Sequence, residues 1–527
     1  NMVTDALDAV QLLSEVLVFV LGVGFLAIIV MFVVDRTQTA SAVRRNYPVI
    51  GRFRTLFEHL GEYFRQYFFA MDREEMPFNR AQRQWVYRAA AGADSTVAFG
   101  STRDLRAVGT YIFVNCPYPV LERDVAPTSL VTVGPYSRKP YETDALFNVS
   151  AMSYGAISKP AVLALSQGSA RAGNWMNTGE GGLSPYHLEG GADIVFQIGT
   201  AKYGVRNEDG SFNDDKLRDV ARHDQVKMIE IKLSQGAKPG HGGMLPASKI
   251  TPEIAEARGI PMGVDCVSPA AHPAFNTPIE MMQFIAQLRD LSDGKPVGFK
   301  LCIGHRREFM CMVKAMLETG VVPDFIVVDG TEGGTGAAPV EFANHVGMPL
   351  VEGLAFVHNT LRGAGLRDRI KIGAAGKIVS AFDVARILAL GADWCNAARG
   401  FMFAIGCIQA QACHTNHCPV GVATQDPMRS WALDVGDKSE RVARYHKNTL
   451  KALGEMTGAA GLRHPGEFMP QHMMLRLGNQ KMAEASDAFG YLPEGFLLKN
   501  TEDTDVMADY RKRWHRADAA SFASPGF

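Results

Sequence analysis

A charge imbalance is missing from this sequence: 54 lysines and arginines stand against 55 aspartates and glutamates, for a formal net charge of −1. Without a basic excess the chain lacks the electrostatic footprint of a nucleic-acid binder, which excludes nucleic acid as its main partner. Cysteine is scarce, eight in 527 residues, so a disulfide-stapled scaffold is excluded as well. No G-x-G-x-x-G follows a candidate strand, which removes support for a dinucleotide-binding Rossmann unit. Long apolar runs are also lacking, with one exception near the N-terminus.

That exception is residues 16–34, VLVFVLGVGFLAIIVMFVV, which carry no charge. A run of this length falls within the ~17–25 residues that span hydrocarbon as a helix. Asp5, Asp8 and Glu15 precede it, whereas Arg36, Arg44, Arg45, Arg52 and Arg54 follow. By the positive-inside rule this predicts an N-terminal segment, 1–35, holding a single transmembrane helix at about 16–34. The rest of the chain is then cytoplasmic, at an inner or plasma membrane. A cleaved signal peptide fits less well, because the basic residues lie on the wrong side and no small-residue cleavage site follows. Residues 36–145, which include RNYPVIGRFRTLFEHLGEYFRQYFF (45–69), are expected to form a juxtamembrane helical region whose basic side meets anionic headgroups.

From about 146 to 427, short apolar runs alternate with helical stretches, the pattern of a parallel βα sheet. Candidate strands are 147–152, 226–233, 297–303, 324–330, 370–375 and 392–398, and helical runs such as PAVLALSQGSARAG (160–173) and SAFDVARILALG (380–391) lie between them. The expected fold is α/β, a (β/α)8 TIM barrel with ligands at the C-terminal mouth of its strands. Residues 428–527 are expected to add a helical extension.

The densest chemistry lies in GCIQAQACHTNHCPVGVATQ (406–425), where Cys407, Cys413 and Cys418 are spaced C-x5-C-x4-C. Three thiolates suit a three-iron cluster, whereas zinc more often takes four ligands in paired C-x2-C form. His414 or His417 can complete a zinc set, so spacing by itself leaves both metals open. The other five cysteines are expected to be small buried apolar residues.

This loop closely resembles the cluster loop in the synthase domain of glutamate synthases. AMSYGAIS (151–158), NTGEGG (177–182), IKLSQGAKPGHGG (231–243), DGTEGGTGAAP (329–339) and LRDRIKI (366–372) resemble that domain's other signatures in the same order. The resemblance implies an FMN-binding barrel, with Cys407, Cys413 and Cys418 holding a [3Fe-4S] cluster. It further implies that an imine formed from 2-oxoglutarate and ammonia is reduced to glutamate by electrons passed from the cluster to FMN.

On that basis Lys300, and next Lys232, are expected at strand ends, where a cation favours reduced flavin. Ala151, Met152 and Ser153 would offer backbone to the flavin ring, with Asn177, Gln235, Gly330 and Gly334 nearby. Two turns are candidate phosphate cradles: 373–377, with Gly376 and Lys377, and the pair Arg399 and Gly400. Glu180, between glycines, corresponds to a family glutamate tied to substrate and ammonia entry. Lys238 would clamp a substrate carboxylate, and Asp329, with Glu332, would serve proton transfer.

The resemblance has gaps. The amidotransferase domain, the large β-helix and a nicotinamide site have no counterpart in this sequence, and Gly240-His241-Gly242-Gly243 stands where the large enzymes carry Gly-Glu-Gly-Gly. The expected partners are therefore the membrane, 2-oxoglutarate or another oxo acid, ammonia or an amine, and an electron donor such as a ferredoxin or membrane-associated redox protein. Alternatives are an enzyme joining another amine to glutamate on the same cofactors, and a redox sensor or scaffold without turnover.

Overall fold

A computed structural model of the chain describes residues 2–94, 96–499 and 504–523. It divides into two compact units, 1–81 and 82–527. In the smaller unit the helix Met2–Thr37 is followed by helices Ala42–Asn46 and Gly51–Phe64, the last running into a wider turn at Arg65–Phe69. The first connection is fixed by Asp35, whose fully buried carboxylate accepts from Arg52 Nε and Nη2, both at 2.8 Å, and from the Val49 amide at 3.0 Å. Within this helix, Leu7–Thr37 has a mean hydropathy of 3.2 and none of its most apolar stretch is buried. It is long and apolar enough to cross a membrane.

The larger unit contains a closed barrel of eight parallel strands: β1 (Phe147–Val149), β2 (Met176–Asn177), β3 (Ile194–Ile198), β4 (Val226–Lys232), β5 (Val297–Leu301), β6 (Phe325–Asp329), β7 (Lys371–Ala375) and β8 (Trp394–Ala397). Each pairs with the next, and β8 closes on β1 through Cys395↔Phe147, Asn396↔Asn148 and Ala397↔Val149. This is the expected TIM barrel, and all six candidate strands are in it. β2, two residues long, and β3, whose IVFQI is buried throughout, are not among the candidate strands. A helix follows every strand. α1 (Lys159–Ala172) is capped by the Ser158 hydroxyl, α2 (Pro278–Leu291) by a Thr277/Glu280 capping box and α3 (Ala381–Ala389) by a Ser380/Asp383 box.

Side chains alternate across a strand, and the barrel interior is layered accordingly. Its floor is apolar: Trp175, Val195, Met228, Phe325, Val327 and Trp394 cluster with Val133 and Ala145. The last two belong to the segment entering the barrel, where the hairpin Val131–Val133/Tyr141–Thr143 lies against the floor. Gly298 and Gly373 leave room for the floor's rings: a Cβ on Gly298 would sit 2.6 Å from Phe325 ring atoms, and one on Gly373 2.4 Å from Trp394 Nε1.

Outside the barrel, two expectations need correcting. The α-helical part of this region ends with Arg80–Ala91; residues 92–94 and 96–145 are mostly extended and irregular, with a 3-10 turn at Glu122–Asp124 and short strands at Tyr111–Phe113, Val131–Val133 and Tyr141–Thr143. Pro117, Pro119, Pro127, Pro135 and Pro140 remove backbone donors throughout that stretch. The C-terminal extension has the expected helices Val435–Ala459 and Asp505–Arg516, but also a hairpin, Met473–Gly478/Lys481–Glu484, which pairs with Tyr111–Phe113. Helix Val435–Ala459 lies on α1 at Gly168, where a Cβ would approach Val442 within 2.5 Å.

Candidate functional site

Two residues beyond the apolar floor, the same strands turn polar. Asn177, Gln197, Glu230, Asp329 and Asn396 follow Trp175, Val195, Met228, Val327 and Trp394 at the next inward position. Glu230 Oε1 accepts from Asn177 Nδ2 at 3.0 Å and Gln197 Nε2 at 2.6 Å. Its burial raises its pKa, offset by the charge of Lys300. Lys300, paired in register with Lys232, lies 3.3 Å from Asp329 Oδ2, and that oxygen also accepts from the Gly236 amide at 2.9 Å. Burial opposes the charge on Lys300, but Asp329, Glu230 and Glu180 outweigh it and its pKa is raised. The surrounding carboxylates thus favour the charged form of Lys300 inside the barrel. Asn396 Oδ1 is buried with no hydrogen-bond partner among the described residues, an acceptor of the kind a bound ligand satisfies.

At the rim, Glu180 lies 3.2 Å from Lys232 Nζ, which also donates to Gln235 Oε1 at 2.7 Å. Burial pushes Glu180 up, but Lys232, Arg258 and Lys238 hold its pKa below the ordinary glutamate value. Lys238 is buried, and burial followed by the neighbouring Lys232 lowers its pKa. The excursion between β4 and α2, residues 233–277, carries Gln235 and Lys238 and also three residues that sequence reasoning missed: Lys249, Arg258 and His272. Arg258 donates to Ser153 Oγ and the Tyr154 carbonyl, both at 3.2 Å. His272 Nε2 lies 2.8 Å from the Lys232 carbonyl, which makes it the donor and leaves Nδ1 a buried acceptor with no partner among the described residues. Burial pulls His272 down to about 4, so its ring is neutral near pH 7. A single histidine in an apolar-looking loop carries no sequence signal of this kind. Lys249 and Arg258 were equally hidden, lying inside a helix-like run.

The remaining candidates are distributed around the same mouth. Ala151, Met152 and Ser153 follow β1, and Gly179 packs so closely on them that a Cβ there would lie 2.6 Å from the Ser153 amide. Asn177 is engaged twice, since its Oδ1 also accepts from the Gly179 amide. Arg399, after β8, donates to the Glu332 carbonyl at 2.7 Å, and Gly334 admits it: a Cβ there would meet Arg399 Nε at 2.6 Å. Burial lowers Arg399 to about 10, while Lys377 is lowered by burial and by Arg399 itself. Two cations that repel one another beside Gly376, whose φ is +140°, form a setting for an anion. Gly330 faces Glu332, whose carboxylate accepts from the Leu350 amide, both oxygens at 3.1 Å, and so caps the helix Leu350–Gly363. The structure thus gives Glu332 a capping contact, and burial raises its pKa. Gly400 is small for packing reasons, because a Cβ would press on the Tyr445 hydroxyl at 2.6 Å.

Cys407, Cys413 and Cys418 leave the barrel just after β8. Burial raises the Cys407 thiol to about 12, and the charges of Cys413 and Cys418 add to the rise. Among the described residues, no three His, Cys, Asp or Glu side chains stand together as a metal site. The loop is held open by non-glycine residues at positive φ: Gln409 (60°), Gln411 (54°) and Asn416 (64°). Such residues cost free energy and persist where surrounding bonds fix them. Asn416 has those bonds, accepting from the Gln425 amide at 2.7 Å and donating to the Ser248 carbonyl at 3.2 Å.

A closed α/β barrel with a polar mouth and a three-cysteine loop defines a class, and comparison with known proteins identifies the family. The conserved region of glutamate synthase matches residues 121–463. The chain is 38% identical over 507 residues to the glutamate synthase large subunit-like protein YerD of Bacillus subtilis, covering 88% of this chain and 96% of that one. It is 37% identical over 321 residues to the archaeal glutamate synthase (NADPH) of Methanocaldococcus jannaschii, covering 60% of this chain and 59% of that one. A solved flavin-binding domain of baker's yeast flavocytochrome b2 aligns with 81% of this chain and 86% of its own at a TM-score of 0.41 and 15% identity. The chain belongs to the glutamate synthase family, and with it to the oxidoreductases acting on CH–NH2 donors.

Proposed function

We propose that this chain is an FMN- and iron–sulfur-dependent oxidoreductase of glutamate synthase type, reducing an imine of 2-oxoglutarate and ammonia to glutamate. The observation that carries the reading is the clustering of Lys232, Glu180, Lys238, Lys300 and Asp329 at one barrel mouth, within the matched region. FMN, when bound, would supply the two electrons of the reduction, and a cluster on Cys407, Cys413 and Cys418 would supply one-electron chemistry for its reduction. Lys300, kept charged by Asp329, favours an anionic flavin ring. The backbone at Ala151–Ser153, Asn177 and the free acceptor of Asn396 fit its edge, while Lys377 and Arg399 fit its phosphate. Lys232, Lys238 and Gln235 bind and orient a dicarboxylate, and ionised Glu180 takes a proton from incoming ammonium. Cys407, Cys413 and Cys418 would hold a [3Fe-4S] cluster: three thiols from one loop, beside buried cations, are the donor chemistry such a group requires.

Anaerobically purified protein should contain FMN, iron and sulfide, and after reduction it should form glutamate from 2-oxoglutarate and ammonia. Protein devoid of flavin and iron would sink the proposal. His241, standing where the large enzymes carry a glutamate, supports a second reading in which another amine or oxo acid is used. Intact cofactors without glutamate formation would select it.

The helix Met2–Thr37 serves in this reading as a single-span anchor in an inner or plasma membrane, with the barrel cytoplasmic and a ferredoxin or membrane-associated protein as electron donor. Its support is the hydropathy of Leu7–Thr37 and the arginines that follow. The protein should sediment with membranes and resist alkaline carbonate; release by that wash would contradict the anchor.

A further inference from the structure

The smaller unit carries an exposed apolar face on a helix that is not itself the span. In helix Gly51–Phe64, Phe53, Leu56, Phe57, Leu60 and Phe64 recur at helical spacing, and all five are exposed. At ~3.6 residues per turn they fall within an arc of about 100°, the width of stripe that a globular helix turns toward a core. Phe53 and Phe57 meet ring to ring at 6.5 Å, and Phe64 extends the stripe to Phe68 at 5.5 Å. The same periodicity puts Arg52 on one border of the stripe and Arg54 and Arg65 on the other, with Thr55 and Glu58 behind. An exposed apolar patch with a polar rim marks a protein or membrane contact.

The start of this helix is tied to the end of the apolar span. Asp35 directly follows the uncharged run 16–34. Its buried carboxylate accepts two bonds of 2.8 Å from the Arg52 guanidinium and one of 3.0 Å from the Val49 amide. Val49 has a φ of +66°, a conformation that a β-branched residue keeps only where its surroundings hold it. Gly51 admits the helix Ala42–Asn46, because a Cβ there would lie 3.1 Å from both Arg44 Cα and the Val43 carbonyl oxygen. Arg36 Nη1 donates to the Arg45 carbonyl at 2.9 Å. Residues 35–52 thus form a built corner, and whatever depth the end of the span takes in a bilayer, Arg52 takes with it.

We propose that helix Gly51–Phe64 lies in the plane of an anionic phospholipid leaflet, its stripe among the acyl chains and Arg44, Arg45, Arg52, Arg54 and Arg65 at the headgroup phosphates. The inference rests on the reading of Met2–Thr37 as an anchor and adds a second, in-plane contact with lipid. Two features select lipid over a protein groove. The bond to the span holds the stripe at the edge of the bilayer, and arginines border it on both sides, where their stems extend along acyl chains and their heads reach phosphate. A lone span fixes depth and leaves tilt open; a helix bonded to its end and lying in the surface restricts tilt as well.

The test uses the full chain in vesicles of phosphatidylglycerol and phosphatidylcholine, and separately of phosphatidylcholine alone. The photoreactive residue benzoylphenylalanine replaces Phe57, Leu60 or Thr55, one at a time, and the adducts formed on illumination are identified by mass spectrometry. Positions 57 and 60 should give lipid adducts, position 55 several-fold fewer. The yield at 57 should fall several-fold in phosphatidylcholine alone, and equal yields in the two lipids would overturn the role given to the arginines. Adducts to protein at 57 and 60, within the chain or to a second copy, overturn the inference, as do equal lipid yields at all three positions. A chain that resists alkaline carbonate but forms no lipid adduct at 57 overturns this inference alone. Release of the chain by that wash overturns the anchor and this inference together.

Discussion

The floor and the mouth of the barrel are built on the same strands two residues apart, yet they are opposite in kind. At the floor, Trp175, Phe325 and Trp394 fill the interior with rings, and Gly298 and Gly373 leave the space those rings occupy. At the mouth, Glu230, Lys300, Asp329, Lys232 and Glu180 put charges into an equally confined space. Apolar burial at the floor stabilises the fold, whereas the buried ion pairs above it cost desolvation that their attraction only partly repays. Stabilising apolar burial and charged chemistry are thus concentrated in different layers along the barrel axis, and paired substitutions separate the two.

The largest expected effect is at Lys300. Lys300→Met removes the cation at the site of developing charge, and turnover should drop by about 10²–10³-fold in the glutamate-forming assay. It also leaves Asp329 buried without its partner, costing about 3–5 kcal/mol in denaturant unfolding. The double variant Lys300→Met/Asp329→Leu should recover most of that stability and none of the turnover. Recovery of turnover would erase the distinction between the layers. Next in size is Trp394→Ala at the floor, where a ring 1% exposed leaves a cavity costing about 3–5 kcal/mol. At temperatures well below the unfolding transition its flavin content should match the parent's.

The same contrast explains what could be read without coordinates. The floor's strands have strong apolar runs, so β1 and β4–β8 were visible, while β2 was too short to show a period. Lys300, Lys232 and Glu180 stood out because charge inside apolar strands or between glycines breaks a pattern. Arg258 and His272 did not, since each sits in a segment where its residue type is unremarkable locally and only the excursion's path brings it to the mouth. At Glu332 a carboxylate beside glycines has the sequence signature of an acid–base group, but the sequence does not show that it also meets the Leu350 amide at the N-terminus of helix Leu350–Gly363. Residues 92–145 misled because their helical neighbours ended at Ala91 without a composition break strong enough to mark it.

A third, smaller effect separates the regions by pH. His272 is buried neutral, its pKa lowered from 6.5 to about 4. Its folded pKa lies below the unfolded one, so between those values the unfolded chain binds more protons. The stability it contributes is fully present above pH 6.5 and is lost as pH falls toward 4. His187 and His446, also lowered to about 4 by burial, act in the same direction. In His272→Asn the loss over this window should be shallower by close to one proton, measured as unfolding free energy against pH. An unaltered slope would place the His272 ring in water rather than at the mouth.

The smallest effect lies outside both layers, where helix Val435–Ala459 covers the barrel's outer side. Tyr445 is fully buried and its hydroxyl donates to the Val379 carbonyl at 2.6 Å, while its ring packs edge-on against Phe147 and Phe401. Tyr445→Phe keeps the ring and removes one hydrogen bond, so the cost should be near 1 kcal/mol. It also relieves the contact at Gly400, where the hydroxyl is what leaves no room for a Cβ. Gly400→Ala should therefore be tolerated better in a Tyr445→Phe background than alone, a coupling that a double-mutant cycle measures. Additive effects would show that Gly400 is small for a ligand and not for Tyr445, moving that position from the barrel's packing to its mouth.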